Sequence, residues 1–388
     1  RFLSNKIEYH LLANHLFANA KAMVFAGLYF EGHEASDWLS KGLSIIDKEL
    51  GEQILADGGH SERSPMYHAI ILEDLLDLVN LDAAYPQVID PALAERCKEC
   101  AVKMLGWLGV MTHPDGQFAL FNDAAFGIAA EPEDLLAYAD RLYLKVPAAR
   151  PEPLVRLADS GYLRAAAGPL TLFVDAAPLG PDYQPGHGHA DTLSFELSCH
   201  DSRIIVDSGT STYAADAQRL KERSTGAHNT LEINGRSSSE VWESFRVARR
   251  AKVTECRAKQ EADGAVSITA AHDGYRRIGC GLHIREFVLS DKGLEITDSV
   301  TGKRRVILRL FFHFHPGIVL EKREKNTVDV LGKGGRVLAF CEFDDLFKIK
   351  TEPFEYHPLF GLSLPSYRIV CATEAKLPFA CSSMISIA

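Results

Sequence analysis

An α+β chain in two parts is what this sequence predicts: helical hairpins over residues 1–150, then an antiparallel β-sandwich over residues 151–388. Three observations carry that expectation. Apolar residues recur at helical spacing up to about Leu144, as in Leu39, Leu43, Ile46, Leu50 and Ile54. The stretch VPAARPEP (146–153) breaks the pattern, and beyond it the period becomes two, as in TLSFELSC, SRIIVD, HIREFVLS and RVILRLFFHF. Short strands that follow one another without intervening helices pair antiparallel and stack as a sandwich.

The helical half divides into five helices, near residues 3–30, 37–55, 65–80, 90–111 and 132–143. Two have chemically marked starts. Ser64-Pro65 and Asp90-Pro91 each place a capping side chain before a proline at the first helical position, where the missing N–H costs nothing. The fourth stretch contains Cys97 and Cys100, a lone C-x-x-C whose members share an apolar face with Met104. No second pair completes a zinc site, so buried free thiols are expected. The β half is segmented by turn residues and has no internal repeat.

Composition narrows the function classes. The 388 residues are 46% hydrophobic and 24% charged, which suits a chain with a large buried core. The formal charge of -10 argues against general nucleic-acid binding, although a local cationic cleft for an anionic substrate is compatible with it. No apolar run is long enough to span a membrane. The start at Arg1-Phe2-Leu3 reads as a piece of a longer protein. The eight cysteines show no framework spacing, which fits a reducing compartment or the periplasm; a homo-oligomer is left open.

Several polar residues stand out in the helical half. Asn14 and His15 interrupt a long apolar helix, where such residues are more often core polar groups than catalysts. The segment DGGHSERSPMYH (57–68) gathers His60, Glu62, Arg63, Tyr67 and His68 at a helix N-terminus. Tyr67 falls in the first turn, where the helix dipole and free amides favour a phenolate and lower the phenol pKa. It could equally be a core residue, since Ile71, Leu75 and Leu78 follow on its face. The loop HPDGQFALFND (113–123) ends in Phe121, Asn122 and Asp123, which line a sugar cleft or simply form a turn.

The β half opens with His187-Gly188-His189-Ala190-Asp191, followed by Asp207 at the end of the next strand and His228 before a third. Strand ends of one sheet can bring two imidazoles and a carboxylate onto one ion, for which zinc is the usual choice. Alternate residues of an extended chain point to opposite sides, so only one of His187 and His189 is expected to face the ion. Surface histidines and turn aspartates are the plainer alternative. Arg246, Arg249, Arg250 and Lys252 form a basic run that is either a solvated strand face or an aid to binding a polyanion.

Together, the stretches LLANHLFANAKAMVFAGLYF, DGGHSERSPMYH, HGHADTLSFEL, VDSGT and RSTGAHNT resemble the heparinase II/III-like family of polysaccharide lyases, through nearly the whole chain. The resemblance implies an incomplete α/α toroid followed by the β-sandwich. It implies β-elimination on a uronic-acid-containing polysaccharide, whether heparan-sulfate-like, alginate-like or a bacterial exopolysaccharide. Asn14 matches the family's residue that neutralises the uronate carboxylate. Tyr67 and His187 match its acid/base pair, with His15, Arg63 and His68 as supporting residues. His189, Asp207 and His228 match its metal set, implying a structural zinc ion, with calcium a weaker candidate. Such a substrate fits the periplasm. Two alternatives stay open: a non-catalytic acidic-glycan-binding protein and a zinc-dependent glycan hydrolase.

Overall fold

The structure is a computed structural model that describes residues 1–146 and 152–388. Most of the expected linker therefore lies outside the described residues. The helical half contains α1 (Ala13–Tyr29), α2 (His33–Gln53), α3 (Pro65–Ala84), α4 (Pro91–Val110) and α5 (Pro132–Arg141). Both marked starts behave as expected: Ser64 Oγ accepts from Tyr67 N at 3.2 Å, and Asp90 caps Ala92 and Leu93. The first helix is a correction. It begins ten residues later than the apolar pattern suggests, because Leu12 and Ala13 take positive φ angles of 60° and 48° after a short 3-10 turn at Leu3–Asn5. Asn14 consequently lies in the first turn of α1, not inside a long helix.

Helices pack as the pairs α1/α2 and α3/α4. The first pair comes unusually close: a Cβ on Gly42 would sit 2.8 Å from Ala20 O, and one on Gly27 would sit 2.6 Å from Leu39 Cβ. Larger residues there would push the hairpin apart. Ile46, Leu50, Leu72, Leu75 and Leu105 fill the interior, and Cys97 and Met104 are buried with them, as their shared face suggested. All eight cysteines are free. Among the described residues no helix is long and apolar enough to cross a membrane.

The β half is built from antiparallel sheets. β1 (Leu154–Leu157), β2 (Tyr162–Ala167), β3 (Leu170–Asp175), β4 (Phe195–Cys199) and β5 (Ser202–Ile205) form a meander in chain order. A short helix, α6 (Ala217–Glu222), leads to β6 (Leu231–Ile233) and to the ribbon β7 (Val241–Trp242) and β8 (Arg246–Val247). Next come β9 (Val253–Gln260), β10 (Val266–His272), β11 (His283–Ser290), β12 (Gly293–Val300) and β13 (Arg305–His313). The chain ends with β14 (Val319–Lys322), β15 (Thr327–Leu331), β16 (Val337–Phe343), β17 (Lys348–Tyr356), β18 (Leu364–Lys376) and β19 (Phe379–Ile387). Eight of these strands make one sheet, ordered β14-β15-β16-β19-β12-β11-β10-β9, and β17-β18-β13-β6 make another. Phe195 of β4 meets Phe287 of β11 and Phe312 of β13 edge-on, at 5.6 and 6.2 Å, so a ring from each sheet enters one core. The fold is the expected toroid part followed by a β-sandwich.

The two halves share hydrophobic surface. Val206, Phe354 and Tyr356 belong to the helical core, while Trp107, Met111 and Phe121 pack with Leu157, Tyr162 and Phe173. The 113–123 loop is fixed across this seam by buried charge. Arg203 donates to the carbonyls of Gln117 and Phe118 and pairs with Asp115 and Glu196, while Glu196 accepts from Leu120 N at 2.6 Å. That anchoring sets the position of Asp123.

Candidate active site

Tyr67 stands at the first turn of α3 because Pro65 and the Ser64 cap start the helix there. Its ring lies 4.0 Å from that of His187, and its hydroxyl is 3.2 Å from the hydroxyl of Tyr213. Burial pushes the phenol up to about 12, against the hydrogen bond with Tyr213, which pulls the other way. The expected lowering by the helix dipole is therefore overturned: removal from water outweighs a partial charge that falls off within one turn. At neutral pH Tyr67 carries its proton.

Glu62 links the remaining groups. It is buried, and both of its oxygens accept from Asn14 Nδ2, at 3.0 and 2.8 Å. Its Oε1 is 4.0 Å from His187 Nε2. Burial raises its pKa, against the pull of His187 and Asn14. Asn14, Tyr67 and His187 thus converge on one place, with Glu62 between two of them.

His187 and His189 do not divide as an extended chain would divide them. Residues 185–188 form a turn, closed by Gly188 N donating to Pro185 O at 3.1 Å, and β4 starts only at Phe195. A Cβ on Gly188 would meet the Leu179 side chain at 2.2 Å, so a larger residue there would have to displace that leucine. Both imidazoles reach the same carboxylate: His187 Nδ1 is 2.8 Å from Asp123 Oδ2, and His189 Nε2 is 2.8 Å from Oδ1. The expectation of opposite directions fails because alternation applies to strands, not turns. The free nitrogens still differ, Nε2 of His187 beside Glu62 and Nδ1 of His189 in a separate buried spot.

Asp123 is fully buried and receives both Nη atoms of Arg219, which projects from α6. Burial opposes its charge, but Arg219 and the two histidines outweigh it, and its pKa is held well below the usual range. Burial likewise opposes charge on His187, yet Glu62 and Asp123 together raise its pKa. Its Nδ1–H is thereby directed at Asp123, leaving Nε2 as the working nitrogen.

His189 and His228 lie together, ring centroids 5.3 Å apart. His228 Nδ1 is 2.7 Å from Asp207 Oδ2. Among the described residues His189 Nδ1 and His228 Nε2 are buried without a hydrogen-bond partner, an uncommon condition for ring nitrogens and one that suits a bound cation. Burial holds His189 neutral, its pKa lowered to about 3, as a metal ligand requires. The third donor fits less directly: Asp207 is turned to His228 and to Gly209 N, and among the described residues no group of three or more His, Cys, Asp or Glu side chains is arranged to hold an ion.

The supporting residues have other surroundings. Arg63 sends its guanidinium to the carbonyls of Ser61, Asp159 and Ser160, tying α3 to the β1–β2 turn. His68 bonds Met104 O at 2.9 Å and stacks on Trp107. His15 lies at the surface beside Glu8, 3.4 Å away. Burial lowers the pKa of His68 to about 3. The unfolded chain therefore takes up a proton below pH 6.5 that the folded one refuses until about pH 3, and stability should fall by about 1.4 kcal/mol per pH unit across that window. Denaturant unfolding between pH 7 and 4 checks this; His68→Gln should flatten the slope by that amount.

Residues 1–139 match the family described as Heparinase II/III N-terminus, and residues 149–382 match Heparinase II/III-like, C-terminal. A heparin-sulfate lyase of Bacteroides stercoris is 23% identical over 89% of this chain and 52% of its own length. FtsZ-localized protein C of Caulobacter vibrioides is 26% identical over 92% of this chain and 62% of its own. The chain thus spans about half to three-fifths of these relatives. Among solved structures, heparinase III superposes with a TM-score of 0.78 at 18% identity, over 98% of this chain and 62% of that one. The heparan sulfate lyase HepC of Pedobacter heparinus gives 0.73 at 18%, over 100% and 62%. With both family regions matched along almost its whole length, the chain belongs to the heparinase II/III-like family.

Proposed function

We propose that this chain is a polysaccharide lyase that cleaves a uronic-acid-containing polysaccharide by β-elimination. One observation carries the reading: the Tyr67 phenol, the His187 imidazole and the Asn14 amide meet at one place, through the ring contact of Tyr67 with His187 and through Glu62. The heparin-sulfate lyases among its relatives support the same substrate class.

The reaction needs three things of the protein. The C5 proton is acidic only if the adjacent carboxylate is neutralised by a donor, a task that falls to the Asn14 amide, held in place by Glu62. His187 Nε2 takes the C5 proton, its basicity raised by Asp123 and Glu62. The C4–O4 bond breaks as the C4=C5 bond forms, and the departing O4 takes the proton of Tyr67, which burial keeps in its phenol form. His187 then returns its proton to the Tyr67 phenolate, whose ring it touches. No water enters the product. Because His187 must be neutral to act, kcat/KM should rise with pH through a midpoint above 6.5, and a pH–rate profile checks the limb.

We further propose that His189, Asp207 and His228 hold a structural zinc ion, a reading supported by the two unpartnered ring nitrogens. Zinc bound there would tie the 185–191 turn to the segments carrying Asp207 and His228 beneath the cleft. Protein purified without added metal should contain about one equivalent of zinc by elemental analysis, and His189→Ala should lose it and melt lower. His187→Ala should keep the metal and lose turnover. Equal metal loss in both variants would overturn the division.

The zinc hydrolase and glycan-binding alternatives make different products. A lyase leaves an unsaturated uronate that absorbs in the ultraviolet, a hydrolase makes reducing ends without it, and a binder leaves the polymer intact.

A further inference from the structure

The tip of the β7–β8 ribbon stands beside the acid/base pair and is built more firmly than a surface turn requires. Phe245 is 42% exposed. Its ring nevertheless lies 5.8 Å from the His187 ring, edge-on, and 5.1 Å from the Tyr213 ring. Its inner side is occupied by the fully buried Arg219, whose guanidinium carbon is 5.4 Å from the ring centre. The exposed part of the ring therefore faces solvent next to the place where a substrate must lie.

Two buried arginines hold this tip. Arg219 Nε donates to Ser244 O at 2.9 Å, and Arg223 Nη1 donates to Ser244 O and Glu243 O at 3.0 and 3.3 Å. Arg223 also grips Gly188 O, between the two histidines, at 2.9 Å. The aromatic ring and the histidine turn are thus clamped by one guanidinium. Glu243 takes a φ of 48°, an unfavourable conformation for a non-glycine residue that persists only where its surroundings enforce it. Three residues before Phe245, Trp242 is also half-exposed, with Arg246 stacked over its ring at 5.1 Å. Rigid aromatic faces beside an exposed cation suit a chain of pyranose rings bearing acidic groups: apolar C–H faces lie on the rings and the anionic substituents face Arg246, the exposed guanidinium of this tip.

Resting on the lyase reading, we propose that the β7–β8 tip is a sugar-binding subsite in which Phe245 stacks on the pyranose next to the one undergoing elimination. An aromatic wall that merely shielded His187 from water would alter the chemical step, whereas a subsite must hold uncleaved substrate.

Binding is therefore measured apart from turnover, by titration calorimetry of a heparan sulfate hexasaccharide into the Tyr67→Phe chain. Adding Phe245→Ala should weaken binding about tenfold or more, as loss of a central aromatic anchor does, while Phe245→Tyr should stay within about twofold. Melting temperatures of the variants are taken alongside, and little change is expected from truncating a half-exposed ring. Unchanged affinity in a folded Phe245→Ala chain would overturn the subsite, as would the absence of saturable hexasaccharide binding in the Tyr67→Phe parent. Failure of the lyase reading is seen elsewhere, as intact polymer with the unaltered chain, and is distinguishable because binding and its dependence on Phe245 would remain.

Discussion

Tyr67→Phe is expected to lower turnover by about a hundredfold to ten-thousandfold, the range typical of a positioned proton donor, while leaving the fold intact. The substitution keeps the ring against His187 and removes only the hydroxyl, whose hydrogen-bond partner among the described residues is the Tyr213 hydroxyl. Since burial holds the phenol protonated near neutral pH, that hydroxyl is the group available to the leaving oxygen. Circular dichroism and melting temperature should match the parent. Near-parental turnover on a cleaved substrate would remove Tyr67 from the mechanism.

The second large effect is expected at Asp123. Asp123→Asn preserves shape but removes the charge that compensates buried Arg219 and orients both His187 and His189. Leaving a buried charge without its partner typically costs about 3–5 kcal/mol, so denaturant unfolding should show a loss of that order. Turnover should fall as well, because an asparagine at this position no longer requires His187 to place its proton on Nδ1. Arg219→Met on the Asp123→Asn background should recover part of the stability without recovering activity, since it removes the uncompensated cation but not the defect at His187.

The particular residues show what could be read from the chain and what could not. Ser64-Pro65 and Asp90-Pro91 announced helix starts correctly because capping is decided within a few residues. The start of α1 was invisible, since nothing in Leu12 or Ala13 signals a positive φ. Asn14, Tyr67 and His187 were picked out through their surrounding motifs, and the structure brings them together. In the sequence Asp123 reads only as a cleft or turn residue, and Glu62 only as one of a group; their importance lies in partners tens of residues away. Arg219 looks like surface charge in AQRLKERS, and Tyr213 sits in an unremarkable loop. No local pattern marks a guanidinium that will be fully buried against a distant carboxylate. The histidine pair shows the opposite error, where a sound rule for strands was applied to a turn.

The central claim is that the bond between sugars is broken by elimination and not by water. The direct measurement is to incubate the unaltered chain with a panel of uronate polymers in ¹⁸O-labelled water, then follow ultraviolet absorbance, new reducing ends and the mass of the fragments. The account predicts at least one polymer that yields one unsaturated, ultraviolet-absorbing end for each new reducing end, with no label incorporated by the cleavage. New reducing ends without the absorbance and with the label built in, or a panel left wholly intact, would contradict it.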